Sequence, residues 1–364
     1  MLRRTYTYNF RLTLWVLAVL LPIGLSANTD TTKHTPNFNA SISVGKVIPH
    51  HTILNPLQKG TTVGVELQYY KNGTLYDNLF KFFGASLNAY RYGNQNLGYS
   101  LSLTPIAIAP LVMSGKTDIY LLLGAGVGFA TERYNPVSNP TNYSISTPVN
   151  ISGQLGLVGH FKLKSGHTLF AKITAHHLSN GNTKKPNYGV NTLTIGAGVQ
   201  LGSPTKYSPA DKPKAASSTN QRFGIALSIG YREAGDYGGK KYVTGSLKPS
   251  YTVFNWDNNS LWVGADIMFD KASLFHLERD GINHSGNADA FKIGVSIGAE
   301  KMLNKVILMA SCGVYAIRTD TTGGVLYQHI GVGYQLTPYL GAQLLLKTHW
   351  TTADYLEFGF RIRI

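Results

Sequence analysis

The sequence contains little of what stabilises small secreted domains or builds helical membrane proteins. Its single cysteine, Cys312, cannot form an internal disulfide, and only 14% of its residues are charged. Beyond position 25 no apolar run approaches the ~20 residues that a membrane-spanning helix needs. These absences exclude a disulfide scaffold and a bundle of membrane helices.

Acidic residues are also scarce: 18 Asp and Glu stand against 33 Lys and Arg, which gives a formal net charge of +15. Such an excess favours an anionic partner. The N-terminus indicates export, as described next, and exported chains rarely meet nucleic acid. Lipid phosphates at a membrane surface are therefore the expected partner.

The N-terminus has the order of a secretory signal peptide. Three arginines precede an apolar run over residues 12–25, which is followed by the small residues Ser26 and Ala27. We therefore expect residues 1–27 to be a cleaved signal. A membrane-anchoring helix is the alternative, but the run is shorter than the ~20 residues that span a bilayer. No cysteine follows the cleavage site, which argues against a lipoprotein.

The rest of the chain alternates with a period of two, which indicates β-strands. In one segment the apolar face consists of Ile119, Leu121, Leu123, Ala125, Val127 and Phe129. The opposite face includes Gly124, Gly126 and Gly128. A soluble sandwich also alternates, but small residues on the second face suit a narrow barrel interior. The sequence therefore predicts an all-β protein, an antiparallel transmembrane β-barrel of the outer membrane.

About sixteen strands are expected, in two eight-stranded halves separated by a linker. The predicted strands lie near 38–47, 61–71, 81–92, 97–112, 117–132, 149–164, 167–179, 189–202, 222–233, 241–255, 260–270, 289–301, 304–318, 324–335, 338–350 and 353–364. Residues 28–202 form the first half, the Pro- and Ser-rich stretch 203–220 the linker, and residues 221–364 the second half. Segments 118–135 and 305–320 are similar, which indicates a diverged repeat. Two small barrels and one larger barrel both remain open.

Loop lengths predict the orientation. With the N-terminus in the periplasm, the connections at 48–60, 93–96, 133–148 and 180–188 are external, and the turns at 113–116 and 165–166 are internal. Long external loops and short internal turns are typical of outer-membrane barrels. The seventh strand then runs outward and ends level with the outer leaflet.

That seventh strand ends in a candidate catalytic pair, His177 and Ser179. Residues two apart on a strand share a face, which places both on the lipid side beyond an apolar stripe. A histidine near a serine can take its proton and make the hydroxyl a nucleophile. Asn191, on the same face of the next strand, is a neighbour that could orient the histidine. Tolerated polarity near the membrane interface is the alternative interpretation.

Residues 177–191 (HLSNGNTKKPNYGVN) resemble the signature of the outer-membrane lipid A 3-O-deacylases, the PagL-type family, whose members are also called acyloxyacyl hydrolases. The resemblance implies a barrel that removes an ester-linked acyl chain from lipid A in the outer leaflet. It implies that Ser179 is the nucleophile and His177 the base. It also implies that Asn187 is an oxyanion donor, helped by a backbone N–H near Asn182, with Asn180 as support.

Two positions depart from the family pattern. The third triad residue of the founding members is a glutamate, and this chain has Asn191. An asparagine can hold a histidine tautomer but cannot offset the imidazolium charge. The family's glycine near the oxyanion hole is replaced by Asn182, which keeps its backbone N–H.

The second half resembles the C-terminal region of longer acyloxyacyl hydrolase homologues, notably at 347–360 (KTHWTTADYLEFGF). Its His349 is expected to point inward into a buried polar network rather than form a second active site. A lumen ion pair is expected between Glu66 and Lys172. His50 and His51 could touch a metal, but no third ligand has suitable spacing, so loop polarity is the favoured interpretation. Lys184, Lys185 and Arg133 are expected in external loops, in contact with solvent or lipid A phosphates.

The favoured hypothesis is a serine esterase of the bacterial outer membrane that releases a 3-O-linked acyl chain from lipid A or lipopolysaccharide. It requires no metal and no cofactor. A catalytically silent barrel with a structural, adhesive or pore function is the alternative, and acyl transfer to another acceptor is a third. The sequence sets no oligomeric state.

Overall fold

The computed structural model describes residues 37–75, 80–114, 116–201, 222–235, 237–256, 258–303, 305–350 and 352–364. The expected signal peptide (1–27) and linker (203–220) lie outside the described residues. No helix in the described part of the chain is long and apolar enough to cross a membrane.

Eight antiparallel strands form the first barrel, and each strand pairs with its neighbours in sequence. They are β1 (Asn37–Val47), β2 (Thr62–Leu75), β3 (Phe80–Arg91), β4 (Tyr99–Met113), β5 (Thr117–Ala130), β6 (Val149–Lys162), β7 (Thr168–Ser179) and β8 (Val190–Leu201). The barrel closes through β1 and β8, where Phe38 lies opposite Leu201 and Val47 opposite Thr192.

Eight further strands form a second closed barrel. They are β9 (Phe223–Glu233), β10 (Lys241–Trp256), β11 (Asn259–Asp270), β12 (Phe291–Leu303), β13 (Val306–Arg318), β14 (Leu326–Gln335), β15 (Leu340–His349) and β16 (Thr352–Arg363). Strand β16 pairs with β9, with Leu356 opposite Tyr231. The connection between β11 and β12 contains a helix, α1 (Ala272–Arg279), and a 3-10 helix (Asn287–Ala290), which strand periodicity does not predict.

The two closures settle the question that the sequence left open: the sixteen strands form two narrow barrels. Glycine and alanine on the inner faces let opposite walls approach closely, as an eight-stranded barrel requires. The sixteen-stranded lumen that a pore would need is not formed by the described strands.

Strand faces alternate as an outer-membrane barrel requires, with apolar side chains outside and polar ones inside. On β8, Ile195 is 63% exposed whereas Thr194 is 1% exposed. The lumen of the first barrel contains the expected ion pair between Glu66 and Lys172, and Gln68 Nε2 donates to Glu66 Oε1 at 2.9 Å. Buried charges of this kind need partners in a low-dielectric interior.

One end of the first barrel carries its long connections, at residues 48–61, 92–98, 131–148 and 180–189. The first of these contains a 3-10 helix (Thr52–Gln58), from which Leu54 and Leu57 pack into an apolar cluster with Leu178, Val190 and other loop-end side chains. At the opposite end, β4 and β5 are separated by only three residues and β6 and β7 by five, at 163–167. The packed loop residues therefore contact the end of β7 through Leu178.

Candidate active site

The register of β7 against β8 brings the predicted histidine and asparagine together. His177 lies directly opposite Asn191 in the antiparallel ladder. Both side chains project from the outer face, and His177 Nδ1 lies 2.6 Å from Asn191 Oδ1. Directly opposite residues are the closest side-chain neighbours in a sheet, which explains a contact between positions fourteen apart in sequence.

A third side chain, His50, joins this pair from the loop that follows β1. Asn191 Nδ2 lies 2.9 Å from His50 Nδ1. The backbone holds the loop in place, because the N–H of Ile48 donates to the Asn191 carbonyl at 2.8 Å. Burial, followed by the nearby His177 and His51, lowers the pKa of His50 below its ordinary value. The lowered pKa favours the neutral imidazole of His50, which can accept a hydrogen bond at Nδ1.

The hydrogen bonds define the direction in which protons are donated. An amide nitrogen only donates and an amide oxygen only accepts. Asn191 therefore donates to His50 and accepts from His177, which fixes the proton of His177 on Nδ1. The lone pair of His177 then lies on Nε2, the nitrogen that a general base uses.

Ser179 ends β7 on the same side as His177 and lies opposite Ile151 of β6. Its side chain is half-buried. No hydrogen bond joins its hydroxyl to His177 within the described residues. A serine side chain rotates about one torsion, and catalytic contacts are often long in the absence of substrate. The backbone thus places the hydroxyl and the imidazole on one face, two residues apart.

The loop at 180–189 orients the predicted oxyanion donor. The backbone N–H of Asn180 donates to Asn187 Oδ1 at 2.9 Å, which leaves Asn187 Nδ2 to donate elsewhere. The Asn180 side chain is buried and donates to Ser146 Oγ at 3.1 Å and to the Lys184 carbonyl at 2.8 Å. Asn180 therefore stabilises the loop through these hydrogen bonds, as expected of a supporting residue.

Two consecutive residues of this loop adopt the left-handed conformation, with φ of 62° at Gly181 and 64° at Asn182. Glycine accepts such angles freely, and asparagine tolerates them better than most side chains. Asn182 therefore adopts a backbone conformation that a glycine at this position would also accept. Its N–H remains in the turn between Ser179 and Asn187.

Gly189 lies against His177, the predicted base. A Cβ atom on this residue would lie 2.6 Å from His177 Cε1, and its φ is 78°. Both the contact and the backbone angle require glycine here. The Gly189 N–H donates to the Ser144 carbonyl at 2.8 Å, so the neighbouring loop also fixes this position.

His349, in the second half, lies inside its barrel. His349 Nε2 lies 3.1 Å from Tyr315 Oη, and its Nδ1 lies 3.4 Å from the Asp354 carboxylate. Lys347, which is fully buried, lies 2.6 Å from the same carboxylate. These contacts form the buried polar network that strand parity predicts for His349.

Sequence comparison assigns the chain to a family. The profile described as "Lipid A 3-O-deacylase (PagL)" matches residues 59–200, which contain His177, Ser179, Asn187 and Asn191. The profile described as "Acyloxyacyl hydrolase, C-terminal domain" matches residues 221–364. The chain belongs to the lipid A 3-O-deacylase (PagL) family. It is a lipid A deacylase, a carboxylic ester hydrolase of the bacterial outer membrane.

Solved structures give more distant matches. The crystal structure of the outer membrane enzyme PagL is 16% identical, with 44% of this chain and 98% of that chain covered and a TM-score of 0.35. Neisserial surface protein A is 12% identical, with 47% and 99% covered and a TM-score of 0.33. A mutant porin of Rh. blastica is 13% identical, with 91% and 100% covered and a TM-score of 0.18. A comparison with curated protein sequences finds no match.

The structure thus gathers the sequence-predicted residues at one end of the first barrel and adds His50. Sequence reasoning considered His50 only as a possible metal ligand or polar loop residue. Its contact with Asn191 spans 141 positions and depends on how the loop after β1 folds over β8. The one sequence feature that points to a further partner is the amide at position 191 in place of an acid. An amide has a donor nitrogen, which needs an acceptor.

Proposed function

We propose that Ser179, His177 and Asn191 catalyse hydrolysis of the 3-O-linked acyl ester of lipid A at the outer leaflet. The observation that carries this proposal is the 2.6 Å contact between His177 Nδ1 and Asn191 Oδ1 on the lipid-facing side of β7 and β8. It supports a base with its free nitrogen directed toward the end of the strand that bears Ser179.

The first half of the reaction forms an acyl-enzyme. Ser179 Oγ attacks the ester carbonyl carbon while His177 Nε2 takes its proton. The bond to the sugar oxygen then breaks, and His177 returns the proton to that oxygen. Lipid A leaves with a free 3-hydroxyl, and the acyl chain remains on Ser179.

Negative charge on the carbonyl oxygen must be stabilised during attack. Asn187 Nδ2 is available for this purpose because its Oδ1 is held by the Asn180 N–H. The backbone N–H of Asn182 is the second donor in our proposal. A water molecule, activated by His177, then attacks the acyl-enzyme and releases a free fatty acid.

Asn191 replaces only part of the role of a carboxylate. It holds His177 in the productive tautomer, and His50 holds Asn191 in the productive orientation. A neutral amide gives less stabilisation to the imidazolium than a carboxylate does. We therefore expect a competent but slower base.

The loop lengths support the proposed position at the outer leaflet. The site lies at the end of the barrel with long connections, and outer-membrane barrels direct such loops outward. Lipid A occupies the outer leaflet, so the ester would lie level with the end of β7. In our proposal Lys184 and Lys185, which are half-buried in the same loop, contact its phosphates.

Mass spectrometry of lipid A tests this function. Cells that express the wild-type protein should lose one ester-linked acyl chain from lipid A and accumulate free fatty acid, whereas Ser179→Ala should leave lipid A intact. Ser138→Ala, at an exposed loop position, is the matched control and should act as wild type. Unchanged lipid A with both the wild-type and the control protein would refute the proposal, and acyl transfer without free fatty acid would indicate another acceptor.

A further inference from the structure

The second barrel contacts the active-site loop of the first. Asn182 Nδ2 donates to the carbonyl of Asp354 in β16 at 3.1 Å. Gly181 lies against Leu356, because a Cβ atom on Gly181 would lie 2.9 Å from both Cγ and Cδ1 of that leucine. These are the two left-handed residues that precede the proposed oxyanion donor Asn187.

A tyrosine cluster makes a second contact between the barrels. Tyr237, from the loop after β9, lies with its ring centroid 5.4 Å from that of Tyr134 and 5.5 Å from that of Tyr143. Burial and the nearby phenol of Tyr188 raise the pKa of Tyr237 to about 12. Tyr188 belongs to the active-site loop, and its ring is tilted by 39° against that of His51, with the centroids 5.0 Å apart.

Lys185, in the loop at 180–189, lies near charged residues of the second barrel. Burial lowers its pKa most, and Arg232 of the second barrel adds to this effect. Glu233 and Asp354, also of the second barrel, act in the opposite direction. The loop at 180–189 therefore meets the end of the second barrel through a hydrogen bond and an apolar contact, with Lys185 near charged residues of that barrel.

At the end of the second barrel that contacts this loop, ion pairs link the strands from inside. Inside the barrel, Asp354 pairs with Arg232 at 2.8 Å and with Lys347 at 2.6 Å. Arg232 also pairs with Asp270 at 2.7 Å. The carboxylate of Asp354 is thus held inside the second barrel, while its backbone carbonyl accepts from Asn182.

From these contacts we propose that the second barrel is a positioning domain, which docks on the loop at 180–189 and holds Gly181 and Asn182 in the conformation that presents the oxyanion donors. The inference rests on the proposed role of this loop in catalysis. Left-handed backbone at a non-glycine residue costs free energy and persists where surrounding contacts determine it. The covalent linker between the barrels keeps their mutual effective concentration high.

The docking itself is tested by cross-linking, independently of activity. In a Cys312→Ser background, Tyr134→Cys and Tyr237→Cys are combined and treated in membranes with a short bismaleimide. A cross-linked peptide between the two positions is expected in high yield. The matched control pairs Tyr134→Cys with Trp256→Cys, which lies at the turn between β10 and β11, at the opposite end of the second barrel. Equal yields for both pairs, or none for the first, would overturn the docking.

The positioning role is tested by Asn182→Gly and Leu356→Ala in the full chain. Asn182→Gly keeps the left-handed backbone and its N–H but removes the contact with Asp354. Each variant should lower kcat about tenfold with little change in KM, because small misplacements of catalytic groups are costly. Ile362→Ala, on the same outer face of β16 but far from the loop, should leave kcat unchanged.

The outcomes separate the two proposals. Specific cross-linking with unchanged kcat in Asn182→Gly and Leu356→Ala would overturn positioning, even if deacylation depends on Ser179. Loss of the heat-modifiable folded band on gel electrophoresis in either variant would identify a folding defect. In that case Asn182→Gln, which keeps an amide that can reach Asp354, must recover more activity than Asn182→Ala, or the positioning role is refuted.

Discussion

His177 and Asn191 lie directly opposite each other across β7 and β8, and their facing atoms, Nδ1 and Oδ1, are 2.6 Å apart. A carboxylate at this position would both orient and charge-stabilise the histidine, whereas an amide only orients it. The orientation of the amide itself depends on His50, 2.9 Å from Asn191 Nδ2. In the proposed mechanism, Asn191 and His50 together therefore orient His177, as a single carboxylate does in a Ser–His–acid triad.

Restoring an acid at position 191 should accelerate the reaction. Asn191→Asp keeps the acceptor toward His177 and adds a negative charge beside the developing imidazolium. A hydrogen bond to a charged group is stronger than a neutral one by roughly 1.4 kcal/mol, which corresponds to about a tenfold rise in kcat. Initial rates of fatty acid release measure the effect. Asn191→Leu, similar in size but without an acceptor, should instead reduce kcat roughly 100-fold, and equal rates in both variants would contradict a role for this side chain.

His50 should act only through Asn191. His50→Leu removes the acceptor that fixes the amide orientation and should lower kcat about tenfold, the loss of roughly one hydrogen bond. In an Asn191→Asp background the same substitution should have little effect, because either carboxylate oxygen can accept from His177. A double-mutant cycle on kcat measures this coupling. Independent, additive losses would show that His50 supports the loop and not the asparagine.

The acid limb of the pH–rate profile should depend on His50. Its pKa is lowered by burial and by the neighbouring histidines, which favours the neutral imidazole. As the pH falls through that lowered pKa, His50 gains a proton at Nδ1, which then faces the Asn191 donor and turns the amide away from His177. His50→Gln cannot titrate, so the acid limb of its profile should be less steep than that of the wild type. Identical acid limbs in the two proteins would exclude this role.

Gly189 should be required for the position of His177. Gly189→Ala introduces a Cβ 2.6 Å from His177 Cε1 and should reduce kcat by 10- to 100-fold, because it displaces the base. Gly166→Ala is the matched control, since Gly166 has a φ of 86° but has no atom within 4 Å of the added Cβ. Both variants carry about 1 kcal/mol of backbone strain, so their comparison isolates the effect of the added contact with His177. Equal activity in the two would contradict the contact.

The lumen ion pair should contribute strongly to the stability of the first barrel. Lys172→Met leaves Glu66 buried and unpaired, which should lower the free energy of unfolding by about 3–5 kcal/mol. The double variant with Glu66→Gln should recover much of that loss because no charge remains. Urea titrations followed by the heat-modifiable band measure both. A double variant less stable than Lys172→Met would contradict the argument.

Strand parity was sufficient to predict much of this architecture. The alternation of apolar and small residues located sixteen strands, and it placed His177 and Ser179 on the outer face and Glu66 and Lys172 in the lumen. Strand parity does not predict which strands pair to close a barrel. Hairpins pair neighbours in the same way in one barrel or two, and only the contacts of β1 with β8 and of β9 with β16 distinguish them.

The candidate site, too, was only partly predictable from the sequence. Asn191 could be placed beside His177 because both lie near one hairpin connection. His50 could not, since a loop has no periodicity and its path over β8 depends on tertiary packing around Leu54 and Leu57. The contact of Asn182 with Asp354 spans 172 positions and depends on the docking of two barrels. Helix α1 was missed because its short amphipathic pattern lies within a loop between strands.

The central claim, that Ser179 is activated by His177, is tested most directly by active-site labelling. The purified protein in detergent is treated with a fluorophosphonate, which reacts with activated serines, and the modified peptide is located by tandem mass spectrometry. The adduct should lie on Ser179, disappear in His177→Ala, and prevent deacylation of lipid A in proportion to its yield. Deacylation that persists when Ser179 is fully labelled or replaced by alanine would contradict the account.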